Sequence, residues 1–303
     1  MFYTLLKIQK FFEALYQSFI SILRVVFRLH FSAGFRNFKS PVNEIFVLAN
    51  GPSLRQDLDK YGSKLALCKT MGVNLFVLSE DFILVKPKYY VLLDIVFFMK
   101  KTLPRAKDAR ERMLEAFNKN LSWEMVLFVP AEARNSYFHL QLLALGLPLK
   151  FVFFNRTAVE GLRPVRHCMY SRGWGMPPPQ NVLIGALMVA IHIGFKKIFI
   201  LGADHSWHEE IHINKDSSLE ITDRHFYDQI GKRLPKHHGE TLKRLNMHDF
   251  FNELARTFRS HQLVAEFADS KNIEILNASS VSYIDAFKKI SLEDLPWDQF
   301  LDK

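Results

Sequence analysis

The chain has 303 residues, 49% hydrophobic and 23% charged, with a formal net charge of +9. That is enough chain to bury a sizeable core, and too apolar a composition for a disordered protein. Two cysteines, Cys68 and Cys168, exclude a disulfide scaffold and a multi-cysteine zinc module, and they suit a reducing compartment.

Charge is concentrated at the start. Residues 1–40 carry a net +5 of the total, from Lys7, Lys10, Arg24, Arg28, Arg36 and Lys39 against Glu13. The remainder is only mildly basic, so no nucleic-acid partner is expected. Residues 2–29 read as one amphipathic helix. Leu5, Ile8, Phe12, Leu15, Phe19, Ile22 and Val26 recur at helical spacing on one side. Lys7, Lys10, Ala14, Gln17, Ser21, Arg24 and Arg28 recur on the other. An apolar face opposed by a cationic one suits a helix lying in a membrane interface, so residues 1–35 are expected to meet an anionic membrane surface. The same helix could instead pack on its own domain, or on a second subunit as a homo-oligomer. The uncharged run Ala14–Leu23 is too short to span a bilayer. No small-residue cleavage site follows it, so no signal peptide is expected. The expected location is cytoplasmic, peripheral on the inner face of the cell membrane.

From residue 43 short apolar runs alternate with helical ones. Strands are predicted at Asn43–Leu48, Leu65–Thr70, Tyr89–Leu93, Met125–Val129, Lys150–Phe154, Lys197–Leu201 and Ile273–Leu276. Helices are predicted from Ser53 to Tyr61, at about 95–118, near Glu132–Leu145, at Asn181–Ile193 and at about 247–270. This alternation with near-continuous apolar strands predicts an α/β fold: a Rossmann-like, doubly wound, mostly parallel sheet. The chain reads as one domain, residues 41–303, behind the N-terminal arm. Two irregular segments, Asn155–Pro179 and Asp204–Asn246, are long enough to be functional. The second is expected to form a lid at about 204–246.

In open parallel sheets ligands bind beyond the carboxyl ends of the strands. Asn50-Gly51-Pro52-Ser53 follows the first strand. Gly51 permits a sharp turn, Pro52 and Ser53 suit a helix start whose free N–H groups attract phosphate, and Asn50 offers both donor and acceptor. The turn lacks the Lys-Ser/Thr pair of a P-loop, and it is not a G-x-G-x-x-G fingerprint. Asn74 and Asp94 each follow an apolar run, as ligand contacts or as helix caps. Asp204 and His205 follow Lys197–Leu201 as an acid/base pair or metal ligands, or with Asp204 capping the loop. His208-Glu209-Glu210-Ile211-His212 matches the H-E-x-x-H pattern of zinc peptidases, in a setting that does not look helical. A divalent metal, if bound, would take Asp204, His205, His208 and His212. Further histidines include His225, His237, His238 and His248, the last opening the long helix where a neutral imidazole could act as a base.

Taken together, Ile45–Leu54, Val73-Asn74, Gly194–Asp204, Ile275–Ser279 and Tyr283–Phe287 resemble a superfamily of bacterial α/β proteins. It holds the sialyltransferases of glycosyltransferase family 42 and the DUF115 proteins, whose domain is similar to 6-hydroxymethylpterin diphosphokinase of the MptE type. The resemblance covers roughly residues 43–290. It implies that Asn50, Gly51 and Ser53 line a nucleotide site and that Asn74 contacts a nucleotide sugar. Asp94 falls where those sialyltransferases carry Asn, and Gln180 and Asn181 open a helix that touches cytidine. Their base matches His248 first and His238 second. His205-Ser206-Trp207 replaces a Tyr found after the matching Asp. The function implied is a glycosyltransferase of surface-polysaccharide assembly, with a CMP-activated acidic sugar as donor, a glycan or lipid-linked acceptor, and no further cofactor. The alternatives are a diphosphokinase, with Mg²⁺ on Asp94 and Asp204, and a non-catalytic scaffold.

Overall fold

The computed structural model describes residues 2–30, 43–216, 218–223, 226, 232–235 and 245–300. The strands in chain order are β1 (Glu44–Leu48), β2 (Thr70–Val73), β3 (Tyr89–Val91), β4 (Met125–Pro130), β5 (Leu149–Phe154), β6 (Lys197–Leu201), β7 (Ile211–Ile213), β8 (Leu219–Asp223), β9 (Lys232–Pro235), β10 (Glu274–Asn277) and β11 (Lys288–Lys289). The helices are α1 (Phe2–Arg28), α2 (Leu54–Leu65), α3 (Asp81–Val85), α4 (Pro104–Asn120), α5 (Tyr137–Ala144), α6 (Arg163–Ser171), α7 (Val182–Ile193) and α8 (Met247–Asp269).

Eight strands form one sheet in the order β11-β10-β6-β1-β2-β3-β4-β5, with parallel pairing throughout. The chain starts in the middle at β1, runs outward to β5, then returns to the other side of β1 with β6. Strand order therefore reverses between β1 and β6, which is where an open parallel sheet leaves a crevice.

Alternation along β1 divides the core in two. Ile45 and Val47 face one cluster with Leu187 of α7 and Val264 of α8. Phe46 and Leu48 face the other with Leu58 of α2, Phe117 of α4 and Phe138 of α5. Side chains alternate faces along a strand, so a strand apolar at every position is covered on both sides. The fold is Rossmann-like, with helices wound on each face of the sheet.

Several boundaries differ from those predicted. Leu65 closes α2 rather than opening a strand, because Leu54, Leu58, Tyr61 and Leu65 continue one helical apolar stripe. The run after Asp94 begins as a short 3₁₀ turn, and α4 starts only at Pro104, whose fixed φ suits a first helical position. Asn155–Pro179, predicted irregular, holds α6. Within Asp204–Asn246, β7, β8 and β9 form a second, three-stranded antiparallel sheet. It packs through Leu219 and Ile221 on Phe250 of α8.

The arm does pack on the domain, but not through its large apolar residues. Ser18, Ser21 and Val25 of α1 are buried, whereas Phe12, Phe19 and Val26 are exposed. Arg36 and Lys39 lie outside the described residues. No helix among the described residues is long and apolar enough to cross a membrane.

Candidate active site at the sheet switch point

A cleft of about 480 Å³ opens beyond the carboxyl ends of β1 and β6. Asn50, Gly51, Pro52, Asn74, Asp94, Asn181, Asp204 and His205 all line it. Three of these residues are tied into the sheet edge by short hydrogen bonds. Asn50 donates from Nδ2 to the Val73 carbonyl at 3.1 Å, and its Oδ1 is buried with no hydrogen-bond partner. Asn74 sits at φ +43, a left-handed conformation that Asn tolerates better than most residues. Its Nδ2 donates to Asp94 Oδ2 at 2.8 Å. The buried Tyr90 hydroxyl holds that turn from below, donating to the Asn74 carbonyl at 2.7 Å and accepting from Val77 N–H at 2.8 Å. Burial raises the Asp94 carboxyl above the usual carboxylate range, opposed by the Asn74 bond and the nearby Arg156 charge.

The phosphate seat expected at Pro52-Ser53 is already filled from within. Asp204 accepts from Ser53 N–H at 2.9 Å and from Ser53 Oγ at 2.6 Å. Gly51 N–H donates to the Gly202 carbonyl at 2.7 Å, and Leu54 N–H to the Gly51 carbonyl at 3.1 Å. Pro52 has no N–H to give. Ser53 thus lies behind Asp204, outside the cleft lining, and the Asp204 carboxylate caps the start of α2. Two glycines make this contact possible. A Cβ on Gly51 would meet Asp204 Oδ1 at 2.3 Å, and Gly202 combines φ +64 with only 2.6 Å to Leu54 Cβ.

The Mg²⁺ that a diphosphokinase would require on Asp94 and Asp204 would have to share oxygens that already accept hydrogen bonds. Both Asp204 oxygens are engaged by Ser53, and one Asp94 oxygen by Asn74. The residues of the zinc pattern do not converge. Trp207–Glu210 is a 3₁₀ turn and Ile211 opens β7, so His208 and His212 do not share a helix face. His208 packs edge-on against Tyr283, Glu209 accepts from the Tyr283 hydroxyl, and His212 pairs with Thr222 at 3.0 Å. No group of three or more metal-ligating side chains occurs among the described residues.

His205 is held at φ +54 and is almost wholly buried. Its Nε2 lies 2.9 Å from both Asn181 Nδ2 and His261 Nε2. Asn181 Oδ1 accepts from Ile184 N–H as the α7 cap, which fixes the amide so that Nδ2 faces His205 as a donor. His205 Nε2 is therefore an acceptor, its proton sits on Nδ1, and His261 donates from Nε2. The bare His261 Nδ1 has no hydrogen-bond partner. Burial lowers His205 to about 3, and burial with His205 alongside pushes His261 well below the usual histidine range. Both rings stay neutral near pH 7. His205 can present an Nδ1–H donor to a ligand but is poorly suited to serve as a base.

The remaining predicted residues lie elsewhere. His248 is exposed on the first turn of α8, paired with Asn252 at 2.9 Å, and does not line the cleft. Gln180 is exposed and also outside the lining. His225, His237 and His238 lie outside the described residues. Of the expected lid, Trp207, Glu210 and Thr222 line the cleft, and Phe226 N–H donates to the Asn50 carbonyl at 3.2 Å.

Sequence reasoning missed His261 and Asp57. His261 falls on the buried stripe of α8 with Phe250, Thr257, Val264 and Ala268, and an ionisable side chain on such a stripe is the available signal. Asp57 lies behind Asp204 with an unpartnered Oδ2, and its pKa is raised to about 6. Burial is the main cause, opposed by hydrogen bonds from Ser280 and reinforced by the Asp204 charge. A carboxyl with a raised folded pKa binds its proton more tightly when folded, so stability falls as pH rises from the unfolded value, about 4, to about 6. Asp57→Asn is therefore expected to raise the melting temperature near neutral pH. Calorimetric melts should show the gain shrinking to nothing as pH falls through this window.

A scan against protein-family models finds no match, and a search of curated proteins finds none. Among solved structures, 85% of this chain superposes on the MAf glycosyltransferase from Magnetospirillum magneticum AMB-1, at 11% identity and a TM-score of 0.48. The chain spans 35% of that protein's length.

Proposed function

We propose that the protein is a glycosyltransferase that holds a CMP-activated acidic sugar in the switch-point cleft and passes the sugar to a hydroxyl of a glycan acceptor, free or lipid-linked. The observation that carries this reading is that Asn50, Asn74, Asp94 and Asn181 line one cleft sized for a nucleotide, with Asn50 Oδ1 buried and without a hydrogen-bond partner. A buried acceptor without a donor is costly, and the amino group of cytosine or a ribose hydroxyl supplies the missing hydrogen. The resemblance to the sialyltransferases in the turn and strand ends supports the choice of cytidine.

Two helix starts meet the donor's phosphate. Val182 and Leu183 of α7, and Leu103, Arg105 and Ala106 around the start of α4, line the cleft. Their dipoles favour the charge that grows on the leaving phosphate. His205 orients a ligand oxygen through Nδ1–H.

Asp94 is the proton acceptor. Its raised pKa makes it a stronger base than an ordinary carboxylate. The acceptor hydroxyl gives its proton to Asp94 as its oxygen bonds to the anomeric carbon. The bond from that carbon to the phosphate oxygen breaks, and CMP departs with the electron pair.

Calorimetric titration tests the binding step. CMP is expected to bind one-to-one in the presence of a chelator, and ATP with Mg²⁺ not to compete. Binding of ATP only with Mg²⁺, and none of CMP, would replace this reading with the diphosphokinase.

A further inference from the structure

We infer that α1 is a docking face for an anionic lipid bilayer, lying flat in the headgroup region with its apolar side inward. The inference rests on α1 alone and not on the transfer reaction.

The rotation of α1 about its own axis is set by the domain. Ser18 Oγ accepts from Leu162 N–H at 2.7 Å, and Ser21 Oγ accepts from Glu160 N–H at 2.9 Å. Gly161 lies so close that a Cβ there would meet Ser18 Oγ at 2.3 Å. Val25 enters the main core, and His30 N–H donates to the buried Asn155 Oδ1 at 3.0 Å. The helix is therefore gripped by its small-residue stripe, Ala14, Ser18, Ser21 and Val25. That grip turns the large residues outward. Phe12 is 61% exposed, Phe19 58%, Val26 68% and Phe27 81%. Leaving such side chains in water is unfavourable, so an apolar face of this extent calls for a cover.

Charge identifies the cover. Lys7, Lys10, Arg24 and Arg28 are exposed on the other side of α1 from Phe12 and Phe19, an apolar face opposed by a cationic one, and Glu13 is the sole acid of α1. Anionic headgroups complement that set.

The attachment also positions the cleft. Asn155 follows β5 and Glu160–Leu162 precede α6, so α1 is fastened at the carboxyl edge of the sheet, the edge on which the cleft opens.

Sedimentation of the full chain with vesicles tests this. Binding is expected to vesicles of phosphatidylcholine with phosphatidylglycerol, to be much weaker to phosphatidylcholine alone, and to decline as salt is raised. Lys7→Glu/Lys10→Glu/Arg24→Glu, and separately Phe12→Ser/Phe19→Ser, should each lower the bound-to-free ratio at least about tenfold. Melting temperature and CMP titration in both variants should match the parent, which separates loss of docking from loss of fold. Absence of binding, or equal binding to both vesicle types by parent and charge-reversed protein, overturns the inference. So does an α1-dependent dimer that the Phe12→Ser/Phe19→Ser change dissociates without any vesicle binding by the parent.

Discussion

Asp94→Asn is expected to lower transfer turnover by about 10²–10⁴, the usual contribution of a positioned general base. Asn keeps the shape of the side chain, and its oxygen can still accept from Asn74 Nδ2, the bond that joins the ends of β2 and β3. The fold and nucleotide affinity should therefore survive while proton removal is lost. The pH profile adds a second readout. Burial raises the Asp94 pKa, so the reactive carboxylate is populated only as pH rises through a range above that of an ordinary carboxyl group. The parent's rate should climb with pH over that limb, and the variant's residual rate should not. Release of CMP from a panel of CMP-sugars, with and without acceptor, measures both. Near-parental turnover in Asp94→Asn would move the base to another residue.

Asp204→Ala is expected to have the largest effect on stability. Asp204 is 6% exposed and receives both the N–H and the hydroxyl of Ser53, itself 6% exposed. Truncation leaves two buried donors without acceptors, at about 1–3 kcal/mol each. A loss on the order of 3 kcal/mol lowers the melting temperature by roughly 5 °C in a chain of this size. Asp204→Asn separates hydrogen bonding from charge. The amide oxygen can accept from Ser53 N–H while the Ser53 hydroxyl rotates to accept from the amide nitrogen. The Asn variant should melt near the parent. If it melts with the Ala variant instead, the negative charge is what the site needs, and capping is the wrong description. Gly51→Ala should also destabilise, because its methyl group would displace the Asp204 carboxylate.

The strand ends were readable because each combines an uninterrupted apolar run with a polar residue just past it. Asn50, Asn74, Asp94 and Asp204 all have that form, and the sheet brings all four to one cleft. What such a pattern cannot convey is which partner a polar group finds. Ser53 and Asp204 are 151 residues apart, and their bond reverses the expected role of the Pro52-Ser53 turn from phosphate seat to internally capped helix start. His205 and His261 are 56 residues apart, and only packing of α8 over the end of β6 makes them a pair. The arm shows the same limit. Its helical period was clear, but an amphipathic pattern does not say which stripe a domain will grip. Here the serines were taken and the phenylalanines left outside.

Asn50 gives the most direct measurement of whether this cleft holds a nucleotide. Asn50→Ala removes a cleft-lining side chain whose buried oxygen lacks a donor, so calorimetry should show CMP affinity falling at least about tenfold, the equivalent of one hydrogen bond. Undiminished CMP affinity in a variant that melts with the parent, or no CMP binding by the parent at all, would contradict it.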